Sequence, residues 1–407
     1  MAETSIERRG ITYATANHAV LHMLELAYGV LLVAIGNELG ISLLILGVLA
    51  NVFGLTYGIT ALPTGVLADR IRAPKLLGVS SIAMGLTAIG VGLSQNTVTL
   101  GVSLSLFGVA LGVFHPVANS FVSKIATKVG LGFAYMGIGG NLGLAFGPIA
   151  IGVIAAAFSW RVAYASMAIP CIVLGILFLR FRYREAASEE APAYAESART
   201  SLREFRLPLI VVVILGVVNG LIYRGVVTFM PTHLSTNVHM GGTAADLVLR
   251  GGSFTTFALL FGVVGQFIGG WLSDRWKSEW IVLLATAVTI PALAAVWQMG
   301  NVALLAAASV FAFFHFMAQP VLNALVSDYT PVMWRGRVFG VYFFCAMVGG
   351  SFSASALGYV AETSGIEQVF FMCTAFAVLA TVFSIPLVIY ARRRGWSFRV
   401  VEMGRRP

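Results

Sequence analysis

Charged residues are scarce in this chain of 407 residues, because Asp, Glu, Lys and Arg together make up only 11% of it. A soluble domain usually carries about 25%, so this shortage excludes an ordinary soluble globule. Hydrophobic residues fill 58% of the chain, and the mean hydropathy is +0.88. Twelve membrane spans of about 20 to 25 residues would use most of such a chain. We therefore predict an all-α integral membrane protein without a sizeable domain outside the bilayer.

Cysteine is also rare. The three cysteines lie singly in apolar runs, a pattern that gives neither a disulfide framework nor zinc-ligand spacing. The sequence has no H-E-x-x-H, Walker-type phosphate loop or G-x-S-x-G motif. It therefore predicts no enzyme activity, no cofactor and no metal site, and an ion or substrate gradient as the energy source.

The basic residues are spread among the apolar runs rather than gathered on one soluble face, so the net charge of +9 does not indicate a nucleic-acid partner. Hydropathy predicts twelve helices, at 12–36, 41–63, 76–94, 99–122, 131–157, 161–180, 207–230, 247–272, 281–299, 302–326, 338–360 and 368–390. With both termini on one side, that side receives 23 of the 26 Lys and Arg residues. By the positive-inside rule this side is cytoplasmic.

Three sequence matches recur about half a chain apart. The segment from Gly65 to Arg70 reads G-V-L-A-D-R, and G-W-L-S-D-R follows 205 residues later from Gly270 to Arg275. The pattern P-V-x-N-x-x-V-S begins at Pro116 and again 204 residues later. A Gly-x-x-Phe pair begins at Gly130 and again 206 residues later.

These repeats predict two like six-helix bundles related by pseudo-symmetry. The polar stretch in mid-chain then becomes the connection between them. We expect an N-terminal bundle at 1–180, a cytoplasmic linker at 181–206, a C-terminal bundle at 207–390 and a basic cytoplasmic tail at 391–407. Two like halves around a midplane site are typical of alternating-access transporters.

The repeated G-x-L-x-D-R motif resembles the gating loop of the major facilitator superfamily. The family usually has a glycine three residues after the aspartate, where this chain has Arg72 and Lys277. The resemblance implies that a gating set latches the two halves on the cytoplasmic side through ion pairs and a helix-end dipole. This set consists of Gly65, Asp69, Arg70, Gly270, Asp274 and Arg275.

A second pattern, Phe114-His115-Pro116 followed by glycines from Gly139 to Gly147 and then Pro148, resembles fosmidomycin-resistance-type exporters and in part other drug-efflux members. The arginine common in helix 4 of proton-coupled exporters is absent, since Leu104 and Ser105 occupy its expected place. The resemblance also implies that helices 1, 4, 7 and 10 surround a central cavity.

Ionisable residues at bilayer depth cost free energy and are functional candidates. In the first helix, His18, His22 and Glu25 share one face. We interpret Glu25 as a proton carrier tuned by the histidines; the alternative is a polar cluster that only ties helix 1 to a neighbour. In helix 7, Arg224 follows Tyr223 and can pair with Glu25, hold an anionic substrate, or form a fixed structural ion pair.

Polar residues in helices 4, 7 and 10 complete the predicted substrate and proton cavity. They are His115, Asn119, Asn219, His315, Gln319 and Asn323. Asn119 and Asn323 are repeat mates, which suggests related roles. For His115 the alternative is a neutral imidazole that satisfies a carbonyl freed by the kink at Pro116.

From these patterns we predict a secondary active transporter of the cytoplasmic membrane that exports a small organic compound, drug-like or anionic, in exchange for protons. It would work as a monomer in the lipid bilayer. The alternative is an importer or exchanger of a small organic anion. A membrane sensor without transport is a remote alternative, because a sensor needs no duplicated gating loop.

Overall fold

The computed structural model describes residues 2–183, 204–238 and 247–393. In these ranges the regular structure is helical, and twelve helices are long and apolar enough to cross a membrane. They are α1 (Ala2–Leu39), α2 (Leu43–Ala68), α3 (Ala73–Gly92), α4 (Thr97–Ile125), α5 (Val129–Ala157), α6 (Trp160–Arg180), α7 (Arg206–Asn237), α8 (Leu247–Ser273), α9 (Ser278–Gln298), α10 (Asn301–Asp328), α11 (Arg335–Ser364) and α12 (Glu367–Arg393). A 3-10 turn, Val332–Trp334, precedes α11.

The all-helical prediction is confirmed, and each predicted span overlaps one of these helices. A helix satisfies its own backbone polar groups, which lipid cannot do. Several helices run further than hydropathy indicates: α1 begins at Ala2 rather than near residue 12, and α7 continues through Pro231 to Asn237. Hydropathy marks only the part at lipid depth, while the polar ends continue the same helix.

Two spans are interrupted at a position three residues before a proline. Helix α4 consists of segments Thr97–Gly112 and Phe114–Ile125, and α6 of Trp160–Ser166 and Ala168–Arg180. Proline lacks the N–H that would bond the carbonyl four residues back, so the helix breaks there. The break in α4 ahead of Pro116 lies at Val113, two residues before His115.

Packing within the two halves follows the same plan. In the first half α1 packs on α5, α2 on α4 and α3 on α6; in the second, α7 packs on α11, α8 on α10 and α9 on α12. Each pair recurs with its number raised by six. The packing therefore has the pseudo-symmetry that the sequence repeats predict.

The halves meet along two helix pairs, α2 with α11 and α5 with α8. Glycine allows close approach where these helices meet: Gly65 lies against the backbone of Gly336 and Gly340, and Gly130 lies against that of Gly270. These contacts run towards the end of the bundle that carries the α2–α3 and α8–α9 loops. We call this end the basic end, because most Lys and Arg residues are predicted there.

Some sequence predictions concern residues outside the described ranges. They are most of the linker, at 184–203, and the tail from 394 onward. The described helices end at Arg180 before the linker and resume at Arg206 after it, and α12 extends to Arg393, beyond its predicted end.

Glycines in the middle of α5 face α1 within the same half. Gly139 lies against Thr15, Gly143 against Ala19 and Gly147 against Met23, in each case at the backbone of α1. A side chain on any of them would push the two helices apart. This contact fixes the height at which α1 presents its polar residues.

We predict that Gly143→Ala lowers stability by about 1–3 kcal/mol, since its methyl group would overlap the Ala19 backbone. Gly152→Ala in the same helix is the matched control, because nothing lies within 4 Å of its added carbon. That change should be neutral or stabilising. Thermal unfolding midpoints of the purified variants in detergent provide the comparison; equal midpoints would contradict the packing role.

Candidate functional site

Three polar side chains of α1 form a continuous hydrogen-bonded relay. His18 Nδ1 donates to the Met136 carbonyl of α5 at 2.8 Å, and His18 Nε2 lies 3.0 Å from His22 Nε2. His22 Nδ1 lies 2.7 Å from Glu25 Oε2. The three side chains stand at i, i+4 and i+7, the spacing of one helix face, and each residue is 8% exposed. We call His18, His22 and Glu25 the α1 relay.

The relay contacts require one proton more than two neutral imidazoles supply. Each of the three contacts needs one hydrogen, and the carbonyl of Met136 can only accept. Two neutral histidines carry two hydrogens, so the third is an additional proton shared along the relay. It balances the negative charge of Glu25. The three contacts thus hold one hydrogen more than two neutral imidazoles carry.

The relay ends in an ion pair that joins the two halves. Glu25 Oε1 lies 3.1 Å from Arg224 Nη2 of α7. The Glu25 side chain is 5% exposed, but that of Arg224 is 24% exposed, so the guanidinium keeps open donors. The predicted pairing of these two residues is therefore present.

Aromatic and polar groups from other helices face this ion pair. Tyr57 of α2 and Tyr223 of α7 both lie within electrostatic range of Glu25 and Arg224. His115 of α4 is the remaining titratable group near Glu25. Together with the α1 relay, these side chains bring the predicted site to the contact between the halves.

His115 is buried between aromatic rings of both halves. Its ring stacks on Phe343 of α11 with centroids 4.8 Å apart and lies edge-on to His18 at 5.1 Å. Its Nε2 is buried without a hydrogen-bond partner, although Asn119 donates to the His115 carbonyl at 2.8 Å. The imidazole therefore satisfies no carbonyl at the break before Pro116 through Nε2.

The structure groups two of the predicted cavity residues apart from the ion pair. Asn219 and His315 line a cavity of about 10 Å³ inside the C-terminal half, among α7, α9, α10 and α12. Asn219 and Arg224 are five positions apart, which is about 140° around a helix, so they face different ways. Asn219 also donates to the Leu215 carbonyl of its own helix.

The remaining polar residues of α10 have local partners. Gln319 accepts a hydrogen bond from Gln266 Nε2 of α8 at 3.0 Å, and the Asn323 carbonyl accepts one from Ser327 at 3.1 Å. Gln266 is almost fully buried and lies against Gly137 of α5, across the contact between the halves. None of these contacts reaches the α1 relay.

Two carboxylates bridge the halves at the basic end. Asp69, after α2, accepts hydrogen bonds from the backbone N–H groups of Gly336 at 2.8 Å and Arg337 at 3.1 Å, at the start of α11. Asp274, after α8, accepts from Gly130 and Leu131 at the start of α5, both at 2.8 Å. Each carboxylate therefore lies at the positive end of a helix dipole in the other half.

Burial raises the pKa of both bridging carboxyls, while the backbone N–H groups oppose the rise. Arg337 adds an ion pair with Asp69 at 3.3 Å. The glycines that donate these N–H groups, Gly130 and Gly336, are the repeat mates found in the sequence. Donor and acceptor of each bridge thus belong to repeated motifs.

Arg70 and Arg275, the arginines of the repeated motif, do not take part in these bridges. Arg275 turns back onto its own helix, where its guanidinium stacks 4.1 Å from the Trp271 ring and donates to the Trp271 carbonyl, and Arg70 is exposed. The expected ion pairs of these arginines across the halves are replaced by Arg337 with Asp69, and by Arg335, which donates to the Ser123 carbonyl at 2.7 Å.

Sequence reasoning missed Tyr57, Gln266, Arg335 and Arg337. Tyr57 and Gln266 lie in apolar runs as single polar residues, which is a detectable signal at bilayer depth. The two arginines lie in the first turn of α11, where the charge count treated them only as an indication of orientation. Their contacts depend on the packing of one half against the other.

Comparison with known proteins places this architecture in a family. The model of the Major Facilitator Superfamily matches residues 16–354 and, separately, 212–403. The chain is similar to the MFS transporter asaE of Aspergillus flavus, with 24% identity over 258 residues, 62% of this chain and 56% of that protein. It is also similar to the Staphylopine export protein of Staphylococcus aureus, with 21% identity over 249 residues, 58% of this chain and 61% of that protein.

Both matches span less than two thirds of those relatives. Among solved structures, the proton:xylose symporter XylE has the same fold, with a TM-score of 0.77 and 13% identity over 95% of this chain and 96% of that one. With the family model covering most of the sequence, and with twelve helices in two like halves, this chain belongs to the major facilitator superfamily of membrane transporters.

Proposed function

We propose that this transporter carries out proton-coupled export of a small organic compound with an anionic group. The observation that carries the proposal is the Glu25–Arg224 ion pair, which joins the halves at 3.1 Å and continues into the hydrogen-bonded α1 relay. A carrier must couple its gradient to the rearrangement of its halves. A proton-binding carboxylate that itself forms a contact between the halves meets this need.

Competition for Arg224 links the proton to the substrate. When the relay proton is transferred to Glu25, the carboxyl becomes neutral and its attraction to Arg224 weakens. The guanidinium, which is partly exposed, can then take an anionic group through a bidentate contact. Loss of the proton restores the ion pair and displaces the anion, so Arg224 holds the anion only while Glu25 carries the proton.

The bridging carboxylates would act as the latch in this cycle. Asp69 and Asp274 hold the basic end closed through helix N-termini of the opposite half. Substrate release to the other side requires closure at this end, and loading from the cytoplasm requires its opening. The predicted location in the cytoplasmic membrane, with both termini inside and a single chain as the unit, is part of this proposal.

The match to an export protein supports the direction, since export is named for that relative. The same contacts would also serve an importer or exchanger of an organic anion. These two are distinguished by what drives flux: a pH gradient drives the first, whereas an anion gradient alone drives the exchanger. A sensor would show no flux of either kind.

The function can be tested in two stages. A thermal-stability screen of the purified protein against organic anions, cations and antibiotics, at about pH 6 and about pH 8, identifies a ligand and its proton linkage. That compound is then followed in proteoliposomes with an imposed pH gradient. Flux of the compound that changes with the imposed pH gradient supports proton-coupled export; counterflow without a pH effect supports the anion exchanger instead.

We predict that Glu25→Gln abolishes flux driven by a pH gradient but leaves counterflow of labelled compound, because the amide does not titrate. Glu38→Gln is the matched control. Glu38 also lies in α1 and pairs with an arginine, Arg161, but 47% of its side chain is exposed and it is remote from the relay. Retention of full pH-driven flux by Glu25→Gln would exclude the carrier role.

We predict that Arg224→Lys weakens binding of the anionic compound at least about tenfold, since an ammonium lacks the planar pair of donors. Arg161→Lys is the control: the Arg161 side chain has the same exposure, 24%, and also pairs with a glutamate of α1. Affinity measured by thermal shift or calorimetry should change only in the first variant. Equal affinities would remove Arg224 from the substrate site.

We predict that Asp69→Asn opens the basic end, because the amide presents an N–H₂ group to one of the two backbone donors. The reporter is Ser123→Cys, at a residue 4% exposed, in a background without Cys171, Cys345 and Cys373. Labelling by a hydrophilic maleimide should accelerate severalfold. Glu362→Gln in α11, an exposed site, should leave the rate unchanged. An unaltered rate in Asp69→Asn argues against the latch.

A further inference from the structure

Three buried imidazoles converge beside the ion pair. One ring nitrogen from each of His18, His22 and His115 lies within 4.8 Å of the others. The rings come from two helices: His18 and His22 from α1, and His115 from the second segment of α4. Their centroids are 4.6 Å, 5.1 Å and 5.8 Å apart. Such a group has the donor set of a three-histidine metal centre.

The outer contacts of the rings orient them as metal ligands. His18 gives Nδ1–H to the Met136 carbonyl and so directs Nε2 inward. His22 places Nδ1 against the Glu25 carboxylate and also directs Nε2 inward. A carbonyl or carboxylate on the far nitrogen is the usual support of a metal-binding histidine. Nε2 of His115, buried and without a partner, is available as the third ligand.

We propose that Nε2 of His18, His22 and His115 bind one divalent cation of the type that prefers imidazole, such as Zn²⁺, in place of the proton between His18 and His22. All three ligand nitrogens are already in place. The ion occupies the position of a proton that the 3.0 Å contact between two nitrogens already requires. The remaining hydrogens, on the two Nδ1 atoms, stay with Met136 and Glu25.

The distances suit a small cation. Zn–N bonds of about 2.0–2.1 Å place tetrahedral ligand atoms about 3.3 Å apart. The His18–His22 pair is near this value, and the His115 ring has to approach by at most about 1.5 Å. Borderline divalent ions such as Zn²⁺ bind well to neutral imidazoles, whereas Mg²⁺ and Ca²⁺ prefer oxygen ligands. A fourth ligand position is left for water or for a donor atom of a transported compound.

Charge and protonation set the pH dependence of the site. The groups that face it are Glu25 on the same helix, Tyr57 from α2, and Tyr223 and Arg224 from α7. The guanidinium opposes a cation, and the Glu25 carboxylate offsets it. Because one ion replaces one proton, affinity should fall about tenfold for each unit of acidification over the range where the relay holds its proton.

The test is calorimetric titration of Zn²⁺ into the purified full chain without a histidine tag. We expect one ion per chain and release of about one proton, measured in two buffers of different ionisation enthalpy. His115→Gln should weaken binding at least thirtyfold. His315→Gln is the matched control, since His315 is equally buried with its Nε2 also unpartnered, yet no second imidazole is near it in the described chain.

The results distinguish site from artefact. Absence of stoichiometric binding in the wild type, or equal affinity in His115→Gln with a monodisperse, helical variant, overturns the proposal. His22→Gln provides a second loss-of-ligand variant should His115→Gln not fold. Mg²⁺ in the same titration should give no heat above dilution, and binding as tight as that of Zn²⁺ would contradict an imidazole site.

An effect on transport follows, and this step alone rests on the proposed function. An ion in the relay excludes the mobile proton, so Zn²⁺ should slow proton-driven flux in the wild type and less so in His115→Gln. Binding without inhibition would retain the metal site and count against the proton pathway through His18 and His22. Inhibition without binding at this site would mean that the ion acts elsewhere, which counts against the metal site.

Discussion

The ion pair between Glu25 and Arg224 lies at bilayer depth and connects the two halves. Ionised side chains in a low-dielectric interior are costly unless they are paired and hydrogen-bonded. Glu25 therefore needs Arg224 and His22 at once, and it obtains them from its own helix and from the opposite half. In the proposed cycle, the partial exposure of Arg224 lets water or an anion replace the carboxylate when it accepts a proton. The two halves thus share one electrostatic contact.

The bridges at the basic end use a different principle, and symmetry doubles it. A carboxylate after α2 binds the start of α11, and its repeat mate after α8 binds the start of α5. Glycines at the same crossings let the backbones meet. Because burial raises the pKa of both carboxyls despite their donors, desolvation opposes these contacts. In the proposed cycle, this opposition would lower the free energy needed to open the basic end.

Local sequence features predicted much of this arrangement. Hydropathy located the twelve helices, the repeats indicated the two like halves, and helical spacing placed His18, His22 and Glu25 on one face. Contacts between halves were harder to predict. That Arg337 rather than Arg70 pairs with Asp69, and that Gln266 reaches α5, depends on how one bundle docks on the other. Asn219 lies close to Arg224 in sequence, but about 140° of helix rotation separates the two side chains.

The histidines show why the expectation of no metal site followed from spacing along the chain. Only two of the three are neighbours in sequence, and the third reaches them because α4 breaks ahead of Pro116 and presents His115 beside α1. The same nitrogens that can carry a proton can hold a cation, since both need a lone pair directed inward and a support on the far side of the ring. Proton relay and metal site are therefore two occupancies of one structure, and the pH at which they exchange sets which of them a cell encounters.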